Sequence, residues 1–175
     1  MKTAKVLLIL FTVSFSLQAK ELYTAKEIFN SLLEITGVSP LSPLAKRLEG
    51  LYLPALPIEG NIKNFTADAL MSLYKISFPL CLSALETDQS RAAADRWLYR
   101  GHPIEKDFSK WSEAEVTAYI SDMALNFFFR KATQEEVASL RKSAEKIKKI
   151  EENEKTKLAS FCAAFATSSA TLVRE

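Results

Sequence analysis

Residues 112–147 read SEAEVTAYISDMALNFFFRKATQEEVASLRKSAEKI, and two helix starts are written into them. Ser112-Glu-Ala-Glu115 and Thr133-Gln-Glu-Glu136 both have the capping-box spacing: a hydroxyl can accept from the third helical amide while a glutamate reaches back to the cap amide. Behind the first box, Val116, Ile120, Met123 and Phe127 recur on one face. Behind the second, Val137, Leu140, Ala144 and Ile147 face inward, while Lys142, Glu145, Lys146 and Lys149 face outward. The triplet Phe127-Phe128-Phe129 covers more than one face, so at least one ring must meet a neighbouring helix or a partner.

The same grammar extends outward. Thr24-Ala-Lys-Glu27 is a further capping box, followed by Ile28, Leu32 and Ile35 and a left-handed stop at Gly37. Ser42-Pro43 reads as a cap with proline at the first helical position, opening a short helix through Leu44, Leu48 and Leu51. Leu53 to Asn64, with Pro54, Pro57 and Gly60, is non-periodic and is expected to be an ordered crossover. From Thr66, the residues Leu70, Leu73, Tyr74, Cys81, Leu82 and Leu85 keep helical spacing through Pro79, where a kink is expected because proline removes a backbone hydrogen bond. Asp88 or Ser90 is expected to cap another helix through Trp97 that stops at Gly101-His102-Pro103. A last helix presents Leu158, Phe161, Cys162, Phe165 and Leu172. No alternating strand pattern or internal repeat occurs. The expected fold is all-α, a single-domain bundle of about six helices with a Pro-kinked central helix.

Met1 to Ala19 reads as an export signal: Lys2 and Lys5, the apolar run Val6 to Leu17, then Gln18-Ala19 before Lys20-Glu21. That run is shorter than the roughly twenty residues a bilayer core requires, and no stop-transfer segment follows, so cleavage after Ala19 and no membrane span thereafter are expected. Residues 1–19 are then the signal and 20–175 the helical domain, placed in the periplasm or secreted. Removing 19 of the 175 residues leaves 156, enough for one domain. The signal takes two of the 23 Lys+Arg and none of the 21 Asp+Glu, so the remaining chain carries 21 of each. A balanced chain gives no support to nucleic acid as a partner. With Cys81 and Cys162 in an exported chain, oxidation to a disulfide has one possible pairing; the alternative is two separate buried thiols.

Catalytic and metal signatures are sparse. The single histidine, His102, precedes Pro103 in an expected loop, no nucleophile elbow accompanies it, and no Cys-x-x-Cys pair exists, so no catalytic residue, metal site or cofactor is expected. The segment Arg91, Arg96, Trp97, Tyr99, Arg100 and His102 has the composition of an interface hot spot or of an anionic-ligand pocket. It equally suits helix-face ion pairs such as Asp95 with Arg91, with Tyr99 packed inward. Arg141 to Lys157 alternates in sign, as a solvated face does. Asn64-Phe65-Thr66 matches a glycosylation acceptor and is read as a helix-cap region.

Several of these segments resemble helical regions of large secreted bacterial proteins that carry laminin-G-like domains, or planctomycete-type cytochrome c modules. The residues concerned are Glu27 to Val38, Leu56-Pro57, Asn61-Ile62, Phe65, the Leu73 to Leu85 stretch with Cys81, Phe128 to Leu140 and Leu158 to Val173. The resemblance implies an exported all-helical module with Cys81 and Cys162 paired, and brings no catalytic residues. Neither companion domain is expected in this chain, so whatever those companions do would be done otherwise or in trans. The functional expectation is a non-enzymatic interaction module whose partner is another envelope or secreted protein. The alternatives are a small-ligand or redox-accessory protein, with a pocket between the Arg91 to Arg100 segment and the aromatic helix ending at Phe129, and an enzyme using His102 or an Asp/Arg group in a cleft.

Overall fold

The structure, a computed structural model, describes residues 24–56, 66–150 and 152–171. The expected signal at 1–19 and the greater part of the expected crossover lie outside the described residues. Within them the chain is all-α: α1 (Ala25–Thr36), α2 (Pro43–Tyr52), α3 (Ala67–Gln89), α4 (Glu113–Phe128), α5 (Gln134–Lys148) and α6 (Glu154–Thr171).

Local chemistry sets the helix starts. The Thr24, Ser112 and Thr133 capping boxes are each closed in both directions, and Ser42 and Thr66 accept from Ala45 and Ala69 amides. Gly37 ends α1 at φ 67°, a conformation glycine reaches without a Cβ penalty. α3 runs uninterrupted through Pro79. At 23 residues it is long and apolar enough to cross a bilayer by length and composition, but Leu73, Ile76, Leu80, Cys81 and Leu85 are buried in the core.

α3 and α6 form the most extensive helix pair; α1 and α2 pack on α3, while α4 and α5 pack on α6. Cys81 and Cys162 lie at bonding distance in that central pair, with α-carbons 6.0 Å apart and no exposed surface. Beside them Tyr119 anchors an aromatic nest, packing on Tyr99, His102, Trp111, Phe161 and Phe165. Burial raises the Tyr119 phenol well above its ordinary range. The edge contacts in this nest match the positive rim of one ring to the negative face of the next.

Two sequence expectations fail here. No α-helix forms from Asp88 or Ser90 through Trp97; α3 itself continues to Gln89, and a single 3-10 turn at Ala93–Asp95 precedes an irregular loop. The cause is Asp88, whose buried carboxylate accepts from the Trp97, Leu98 and Tyr99 amides at 2.8–2.9 Å and folds the chain back on α3. Those amides are satisfied by a side chain and need no helical carbonyl. Leu51, expected on the apolar face of α2, is 62% exposed. Leu53 and Pro54 open a 3-10 turn instead of further helix, and Leu56 is the residue that turns inward.

Candidate interaction cleft

The loop held by Asp88 carries Trp97 across to the carboxyl end of α1. There the indole Nε1 donates to the Ile35 carbonyl at 3.0 Å, and the ring lies against Gly37. A Cβ at position 37 would sit 2.9 Å from Trp97 Cδ1, so glycine serves both the left-handed stop and this close approach. The ring is nevertheless 59% exposed, because its outer face looks into a cleft.

The opposite wall is α4, which contributes Asp122, Leu125 and Asn126. It ends on Phe129, a non-glycine residue at φ 55°. Left-handed backbone costs an L-residue roughly 1–2 kcal/mol. It is held at a corner where Arg130 clamps Glu136 with two hydrogen bonds of 2.8 and 2.6 Å, Glu136 also being the return arm of the α5 capping box. The outcome is that Phe127 and Phe128 turn into the core, while Phe129 is 56% exposed on the cleft. Ser31, Glu34 and Ile35 of α1 complete the walls of a cavity of about 680 Å³. Such a volume is in the range of ordinary ligand sites.

The structure divides the six residues of the Arg91 to His102 patch. Trp97 and Arg100 line the cleft. Arg96 is buried, donates to the His102 carbonyl at 2.9 Å and pairs with Glu105, so it braces the loop. Tyr99 is buried with its hydroxyl donating to the Cys81 carbonyl at 3.4 Å. Arg91 lies 3.7 Å from Asp88, so the expected Asp95 pairing does not form. His102, expected at the surface or in a local hydrogen bond, is instead buried beneath the cleft and stacked near Trp111.

The His102 Nε2 atom is 3.1 Å from Asp122 Oδ2. Burial pushes the imidazole below its ordinary value of 6.5, outweighing the upward pull of Asp122. At neutral pH it is therefore uncharged. Among the described residues no nucleophile is hydrogen-bonded to it and no group of three metal-ligating side chains exists.

The cavity does lie between the Arg91 to Arg100 segment and the helix ending at Phe129, where the sequence placed a pocket; sequence reasoning missed Asp88 as the organiser of the loop and Glu34, Asp122 and Leu125 as cleft residues. The one available signal was the Phe127 to Phe129 triplet, too apolar for a single helix face. No protein-family model, curated protein or solved structure matches the chain.

Proposed function

We propose that this chain is an exported, non-enzymatic helical interaction module that recognises another envelope or secreted protein through the cleft between α1, the Trp97 loop and α4. One observation carries the reading. Two large exposed aromatic rings line one cavity, each placed there by its own local device, Asp88 for Trp97 and the left-handed corner for Phe129. Rigid exposed aromatics beside apolar surface are the usual anchors of interfaces. Export is supported by the composition of residues 1–19, and an oxidising destination by two cysteines at bonding distance. A counterpart of the helical regions found beside laminin-G-like or cytochrome modules would fit this role.

The test is capture from the native envelope with two baits, the wild-type protein and Leu125→Lys, which places a charge on an exposed position of the cleft wall without touching the core. A stoichiometric partner recovered by the wild type and lost by the variant is the expected result. Equal recovery by both baits, or background proteins alone, would overturn the reading. If instead a small ligand fills the cleft, the purified protein's native mass will exceed that of the bare chain.

A further inference from the structure

Three features make the cleft electrostatically one-sided. Its side chains include two carboxylates, Glu34 and Asp122, against one guanidinium, Arg100. Among the described residues neither Glu34 nor Asp122 has a Lys or Arg nitrogen within 4 Å, and the basic group within that distance of Asp122 is the buried imidazole of His102. Both α1 and α4 also end at the cleft, and neither has a basic residue in its last turn. A helix carboxyl end carries the equivalent of about half a negative charge, so the two ends add to the carboxylates. Arg100 is drawn back toward the loop, its Nε donating to the Arg96 carbonyl at 3.2 Å.

The exposed face of Trp97 completes the environment, since aromatic faces attract cations. We infer that the cleft is a receptor for a lysine or arginine side chain projecting from an extended segment of the partner protein. This rests on the interaction-module reading and names the chemistry it would recognise. The anionic ligand suggested by the arginine-rich sequence is disfavoured, because Arg96 is consumed by Glu105 and Arg91 faces Asp88. Anionic lipid is disfavoured by the same charges.

The experiment uses the two tryptophans as reporters. Trp111 is buried with its indole donating to the Lys106 carbonyl, whereas the Trp97 indole stands on the cleft wall. The purified protein is titrated with a terminally blocked glycine pentapeptide bearing one central arginine. Parallel titrations use the citrulline and glutamate counterparts, with both indole N–H resonances followed by NMR. The arginine peptide is expected to shift the Trp97 signal and leave Trp111 unmoved, with citrulline binding about tenfold more weakly. Glu34→Gln, an exposed substitution that spares the fold, should weaken arginine binding about threefold, and added salt should weaken it further. Equal binding of citrulline, or tighter binding of glutamate, would overturn the cationic occupant while leaving the cleft as the interaction surface. Absence of any shift, with partner capture still lost in Leu125→Lys, would also overturn it.

Discussion

Reducing the Cys81–Cys162 pair isolates one term in this protein's stability. The two residues are 81 positions apart, and in the chain-entropy account closing a loop of that length stabilises the fold by about 4.5 kcal/mol. Neither cysteine has exposed surface, so reduction leaves two thiols in the same apolar site and adds little solvation change to the entropic one. For roughly 150 ordered residues the unfolding entropy is about 0.3 kcal/mol per degree near the midpoint, which converts the loss to a fall in melting temperature of about 14 °C. Calorimetry with and without reductant measures it. Alkylation during unfolding without reductant checks the starting state and should add no label. Two adducts in that control would show free thiols. A shift under about 3 °C would show that the unfolded chain is already constrained by other means, and either result would refute the reasoning.

Two further outcomes follow from buried groups. Asp88→Ala should cost about 3 kcal/mol in urea denaturation, since it strips a charged acceptor from three backbone amides, two of them on buried residues. A loss under about 1 kcal/mol would mean that the loop does not depend on that carboxylate. His102 is shifted downward from 6.5 in the folded protein, so the unfolded chain takes up its proton first as the pH falls. Stability should therefore be fully present above 6.5 and decline below it, more steeply in the wild type than in His102→Asn. The facing groups that modulate this are Asp122, which favours the proton, and the Trp111 and Tyr119 rings, which exclude water from it. Urea midpoints at neutral and mildly acidic pH decide the matter; parallel slopes for the two proteins would dismiss the assignment.

The helices were legible wherever their signals are local. A capping box places donor and acceptor three residues apart, so Thr24, Ser112 and Thr133 could be read directly, and Gly37 marked its own left-handed stop. The cysteine pairing was readable because only one pairing existed. The loop after α3 was not, because its organising bond runs from Asp88 to amides nine to eleven residues later and leaves no periodic trace. Arginines spaced along that segment looked like a surface patch, yet the packing sends Arg96 inward and Trp97 outward. Glu34, Trp97 and Asp122 meet only through the packing of α1 and α4 around the loop, and no spacing in the chain encodes that meeting.

The Cys81–Cys162 link also makes a closed macrocycle of part of the chain. The ring contains the Trp97 loop, α4 and α5, whereas α1 lies wholly outside it as a tethered arm. Two walls of the cleft thus belong to one covalent hoop, and the third is a 12-residue helix docked by packing and by the Trp97 bond to Ile35. A protease that cuts once within the hoop releases no fragment. Opening the cleft on the α1 side would take Ile28, Phe29, Leu32 and Leu33 out of the core, so that packing alone sets the cost of moving the arm. The cleft is thus framed unequally, two walls joined by a covalent ring and the third held by noncovalent contacts.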